Sequence, residues 1–184
     1  MLSSTILMAQ TDDYDFDYRL PGDSFLSLNL GTQVPLFNVD PNGTFKPSNL
    51  SLGGILGFEL DWHLSNNLRL GVALKGLLAF TPNARQLYMV PMTAKVTYLF
   101  KSFPFSIPVS FGVGTVISSF TDTLRWDAIL TPSVGFNWNY SSRWGFGLQI
   151  TPWIIPQIYG ADRSNETRVG TMMEISLSAI YNIK

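Results

Sequence analysis

Between Asn49 and Phe80 the chain obeys a two-residue rule. Leu50, Leu52, Leu56, Phe58, Leu60 and Trp62 take even positions, while Ser51, Gly53, Gly57, Glu59, Asp61 and His63 take odd ones. Alternation at this period marks a strand with one apolar face. After the turn formers Ser65, Asn66 and Asn67 the pattern resumes, with Leu68, Leu70, Val72, Leu74, Leu78 and Phe80 even and Arg69, Gly71, Ala73 and Lys75 odd, which predicts a hairpin. Each arm runs about 13 to 15 residues, against about 5 to 6 in ordinary globular strands. A long strand with aliphatics on one face and charges plus glycine on the other suits a closed barrel standing in lipid.

The same period predicts six more strands. The first covers about residues 24–36, with Leu26, Leu28, Leu30, Val34 and Leu36 on its apolar face; a connection from Phe37 to Ser48 with the turn signal Pro41-Asn42-Gly43 leads into the opening hairpin. The rest cover about residues 86–100, 105–119, 125–140, 144–159 and 168–183. Eight is an even number, as a closed antiparallel barrel of the bacterial type requires. Connections after the second, fourth and sixth strands are short and the others longer, so both termini fall on the short-turn side. The reading is all-β: an eight-stranded antiparallel up-and-down transmembrane β-barrel over residues 24–184, preceded by an N-terminal arm over residues 1–23.

Aromatic residues support this orientation. Trp62, Tyr98, Trp138, Tyr140, Trp144 and Tyr181 all fall on the apolar face near short turns or the C-terminus, where a membrane interface selects amphipathic rings. A water-soluble barrel would carry the opposite arrangement. Composition agrees. Charged residues make up 14% of the 184, against roughly 25% in soluble domains, and polar residues break every apolar run before a spanning helix would be complete.

From about Ser24 onward the chain resembles the small eight-stranded outer-membrane proteins of the OmpA, OmpX and OmpW kind. The run from Val90 to Phe100, followed by Pro108-Val109-Ser110-Phe111-Gly112-Val113-Gly114, is most similar to an OmpW-type hairpin. Such proteins usually end on an aromatic residue read by the insertion machinery, whereas this chain ends Tyr181-Asn182-Ile183-Lys184. The resemblance implies a bacterial outer-membrane location, membrane lipids and the outer-membrane insertion machinery as partners, a monomer, and passage of hydrophobic compounds.

Sorting the inward-facing residues by height separates two chemistries. Near the short turns and midplane lie Glu59, Asp61, Arg69, Lys75, Lys95 and Glu174. Unpaired charge in a low-dielectric tube is costly, so these groups are expected to pair across strands. A structural plug and a gated conduit both remain open readings. Toward the longer loops lie Ile55, Leu77, Leu87, Met89, Val116, Ile129, Trp153, Ile155 and Met172, either a packed core or the lining of a site for a small hydrophobic ligand. On the lipid side, a turn at residues 141–143 sets Pro132 beside Pro152, with Pro156 beyond; proline donates no ladder hydrogen bond, so this seam is a candidate lateral opening.

Other chemistries find little here. With no cysteine and a single histidine, His63, neither a zinc site nor a cysteine nucleophile can be assembled, and His63 lies at the rim away from the outer leaflet where a Ser-His-acid lipid hydrolase would need it. No enzyme activity and no cofactor are expected. A net charge of -1 gives no basic field for nucleic acid. The segment Met1 to Gln10 reads as a clipped signal-peptide remnant or as an untethered terminus. Asp12, Asp13, Asp15 and Asp17 lack the glycine and closing carboxylate of a calcium loop. Lys46, Arg85, Arg163 and Arg168 belong to the longer loops, where solvation and contact with anionic head groups are both open.

Overall fold

The alternation organises a closed sheet. The structure, a computed structural model, describes residues 21–48, 50–80, 86–120, 123–159 and 167–183. The expected N-terminal arm up to residue 20, its aspartates, Arg85 and Arg163 lie outside the described residues. The strands are β1 (Ser24–Val39), β2 (Phe45–Pro47), β3 (Gly53–His63), β4 (Leu68–Phe80), β5 (Gln86–Ser102), β6 (Phe105–Phe120), β7 (Thr123–Asn139), β8 (Trp144–Gln157) and β9 (Arg168–Ile183). Each of β1 and β3 to β9 pairs antiparallel with its neighbour, and β1 pairs with β9, from Ser24↔Ile183 to Val39↔Val169, to close an eight-stranded barrel. Closure leaves no open sheet edge around the wall as a whole, the condition for placing strands in hydrocarbon.

The faces divide as the parity requires. Outward Leu30, Phe58 and Leu177 are 65%, 52% and 66% exposed, whereas inward Ile55 and Trp153 are 1% and 0% exposed. An apolar exterior this continuous cannot stand in water, and it makes this a transmembrane barrel of outer-membrane type. On β5, exposed Tyr98 and Tyr88 bracket the apolar stretch; ten residues at about 3.3 Å, tilted about 40°, span about 25 Å of bilayer. At the short-turn end Trp62, Tyr98, Trp138, Tyr140 and Trp144 are exposed. Ring pairs Trp138–Tyr140 (5.5 Å between centroids) and Trp144–Tyr181 (4.9 Å) continue the band around the wall.

Four local features depart from the expected alternation. The first connection is itself structured: β1 runs on to Val39, turns through Gly43 at φ 76°, and pairs with β2. A bulge between Pro35 and Phe37 on the β9 side leaves Leu36 as the extra residue, so the strict alternation that put it with the outward leucines ends there, and Asn38 pairs with inward Gly170. Leu50 also leaves the outward set. The ladder to β4 starts only at Gly54, so strand parity does not govern Leu50, which is partly buried and packs against the inner apolar cluster. Finally, Phe120 pairs with Thr123, so the connection between β6 and β7 is two residues long and not one of the longer ones.

The lipid-facing assignment fixes the cost of a charge on the wall. Leu74→Arg, near the middle of β4, is expected to lower the unfolding free energy in phosphatidylcholine vesicles by about 2–4 kcal/mol, read from urea titrations. A change near zero would put that face in water.

Candidate functional site: a layered lumen under an outer bowl

Strand parity directs into the lumen a charged layer of three cations and three carboxylates. Glu59 (β3) stands between Lys75 (β4) and Lys95 (β5): Lys75 Nζ lies 3.2 Å from Glu59 Oε1, and Lys95 bonds Glu59 Oε2. Across the tube Lys75 Nζ donates to Glu174 Oε1 at 2.8 Å and Oε2 at 3.0 Å, and Lys95 lies 3.4 Å from Asp61 Oδ2. Arg69 adds the third cation, its guanidinium 5.6 Å over the Phe25 ring. Of the six groups expected to pair across strands, Glu59 meets Lys75 on the adjacent strand and Lys95, which reaches past β4, on the strand beyond it. Two glycines make the lateral reach feasible. A Cβ at Gly71 would collide with the Asp61 carboxylate, and one at Gly57 would meet Lys75 Cγ at 2.6 Å.

Above the charges, all nine residues of the expected apolar layer gather in one buried cluster: Ile55, Leu77, Leu87, Met89, Val116, Ile129, Trp153, Ile155 and Met172, joined by Ala79. Trp153 ties the two layers together. Its indole N–H donates to Glu174 Oε2 at 2.8 Å, and Ser176 Oγ donates to Glu174 Oε1 at 2.9 Å, so this fully buried carboxylate is satisfied from three sides.

Below the charges the structure adds a layer that the sorting by height missed. Phe25 and Leu99 are fully buried and Ile180 is 8% exposed, so the tube is not uniformly polar toward its short-turn end. The signal was present, since each of these apolar residues sits at an inward position of its strand. The buried His63 ring packs there 4.8 Å from Phe25. Charged groups thus lie between the apolar cluster above and a mixed layer below, where Phe25, Leu99 and Ile180 stand with His63, Ser106 and Asn182, and the voids among them, about 20 and 30 Å3, hold little more than one water each.

At the longer-loop end the lumen widens into a bowl of about 650 Å3, within the range of small-molecule sites. Leu50, Leu87, Met89, Ile155 and Met172 form its apolar floor, and Asp40, Lys46, Arg125, Asp127, Tyr159 and Arg168 stand among its polar wall residues. The apolar layer is therefore packed as a core in its depth and open only at its top.

The wall beside the bowl is incompletely bonded. Between β7 and β8 the ladder is continuous from Asn139↔Gly145 to Val134↔Ile150, resumes only at Leu130↔Ile154, and has no pair beyond. By that register Pro132 and Pro152 lie opposite each other within the gap. Pro152 and Pro156 both keep partners on β9, Met173 and Val169, and neither has one on β7.

A protein-family model matches residues 8–181. The chain belongs to that family. Its relatives include an uncharacterized protein of Borreliella burgdorferi, 28% identical over 182 residues covering 87% of this chain and 83% of that protein. Among solved structures, Neisserial surface protein A superposes with a TM-score of 0.66 at 10% identity, over 86% of this chain and 96% of that one. OprG from Pseudomonas aeruginosa does so at 0.52 and 13% identity, over 87% and 96%. At these identities the likeness is one of fold: both are small outer-membrane β-barrels, and this family member shares their architecture. Barrel closure and an apolar exterior place it in a bacterial outer membrane.

The charged layer predicts a large penalty for removing its central acid. Glu59→Gln leaves Lys75 and Lys95 sharing a neutral partner and is expected to cost about 3–5 kcal/mol by urea titration in vesicles. A loss below about 1 kcal/mol, the scale of an exposed pair, would mean that water reaches these groups.

Proposed function

We propose that this outer-membrane barrel receives small hydrophobic molecules in its outer bowl and releases them sideways into the bilayer. The observation that carries the reading is the bowl itself: a cavity of about 650 Å3 with an apolar floor at the end of the lumen away from the short turns. Burying apolar ligand surface there gains about 25 cal/mol for each Å2 removed from water. Straight passage along the axis is opposed by the charged layer and the apolar residues on either side of it. An apolar molecule would have to disrupt buried ion pairs to proceed, whereas the gap beside Pro132 and Pro152 offers a side route of low backbone cost. Ile55, Leu77, Val116, Ile129 and Trp153 then act as the packed base under the floor.

The enclosed charged layer favours a second reading, a plugged barrel that serves as a structural or adhesive anchor. Binding separates the two. In lipid nanodiscs, N-phenyl-1-naphthylamine is expected to bind above the level seen with empty discs, and Leu87→Asp to weaken binding by about tenfold or more while the barrel stays folded. Absence of protein-dependent binding would leave the anchor. In planar bilayers the closed lumen predicts no discrete conductance steps, and regular steps would overturn the plug.

The side route has its own signature. Backbone amides of the non-proline residues between 151 and 157 are expected to exchange at least about tenfold faster than those of the fully laddered β5–β6 pair. Equal or slower exchange would remove the lateral opening.

A further inference from the structure

We infer that the bowl selects amphiphiles that carry a single anionic head on an alkyl chain, with Arg168 as the residue that reads the head. The inference rests on the hydrophobic-ligand reading above and narrows its ligand class.

The bowl is not uniformly lined. Its floor is aliphatic, but its wall holds five charged groups among the described residues: Lys46, Arg125 and Arg168 against Asp40 and Asp127. Two of the cations are already matched. Lys46 Nζ lies 2.5 Å from Asp40 Oδ2, and Arg125 Nε donates to Asp127 Oδ1 at 2.8 Å while its guanidinium stacks 4.0 Å over the Tyr159 ring. Arg168 differs from both. Its Nε donates at 2.6 Å to Oε1 of Gln157, a neutral group, and no carboxylate among the described residues pairs with it. Its two terminal nitrogens remain, a planar fork suited to a carboxylate or phosphate.

Position strengthens the case. Arg168 opens β9 directly opposite Gln157 at the end of β8, at the top of the strand whose ladder with β7 is broken. A ligand whose anion rests on Arg168 therefore has its chain over Ile155 and Met172 and beside the lateral gap. A neutral hydrocarbon gains the floor alone. A cationic amphiphile meets the excess positive charge that the described residues of the wall carry. The anionic head satisfies both parts of the site. Such a molecule reaches the bowl either as a free amphiphile from outside or as a lipid of the bilayer, and the shared chemistry is the anion with its chain.

Methionine methyl groups provide the test, because they lie on both sides of the wall. Met89 and Met172 face the bowl, whereas Met92 and Met173 face lipid and register partitioning into the bilayer. With 13C-methyl-methionine protein in phosphatidylcholine nanodiscs at pH 8, dodecanoate, dodecanol and dodecyltrimethylammonium are titrated in parallel. Dodecanoate is expected to saturate the Met89 and Met172 shifts at a concentration about tenfold below that of dodecanol. Arg168→Gln should erase the difference, and Arg168→Lys should keep part of it. In discs containing phosphatidylglycerol and no added amphiphile, shifts at the same two methyls that Arg168→Gln abolishes would support the inference with a bilayer lipid as the source. Equal affinity for dodecanoate and dodecanol, or an undiminished preference in Arg168→Gln, overturns the inference while leaving hydrophobic binding intact. No shift at Met89 or Met172 with any of the three, when Met92 and Met173 do respond, overturns both.

Discussion

The structure depends on one constraint: in hydrocarbon, backbone N–H and C=O groups have to bond within the protein. Pairing of β1 with β9 meets it around the circumference, and the two-residue period then sends every other side chain toward lipid and the remainder inward. The same parity that exposes Leu30 and Leu177 buries Ile55 and Glu174. What fills the lumen is a consequence of closing the wall with eight strands, a number that leaves a tube about wide enough for side chains.

Filling that tube with charge carries a desolvation cost, and the structure offsets it by matching. Glu59 serves two lysines, Lys75 serves two glutamates, and Glu174 takes further hydrogen bonds from Trp153 and Ser176. Buried side chains above and below leave only water-sized voids around the layer. Strand pairing lapses in the wall, briefly between β4 and β5 and between β6 and β7, and over a longer stretch between β7 and β8.

Most of this was legible in the sequence because a period of two survives any tilt or curvature of the strand. It located the eight strands of the wall, both faces, the charged layer, the apolar cluster and the facing prolines at 132 and 152, but not the short β2. It failed where the chain stops being a regular strand. A bulge displaced Leu36, and Leu50 fell before the ladder began; no count of alternation detects either. Phe25, Leu99 and Ile180 were missed for a different reason. Their parity was right, but they were read within the polar end of the tube, and single apolar positions on separate strands look like a layer only once the register stacks them. Of the bowl, the sequence offered the apolar floor as one of two open readings but not the part of its wall that comes from the β1–β2 hairpin, Asp40 and Lys46 among it, because no alternation announces β2.

The central claim is that acyl chains bathe the leucine face and that the lumen is closed to them. Tryptophan quenching tests it most directly, with variants that keep only Trp138 or only Trp153 reconstituted in vesicles containing brominated phosphatidylcholine. The account predicts strong quenching of Trp138 by the brominated chains and little quenching of Trp153 by either brominated lipid or aqueous acrylamide. Protection of Trp138 from the lipid quencher, together with quenching of Trp153 by acrylamide, would contradict it.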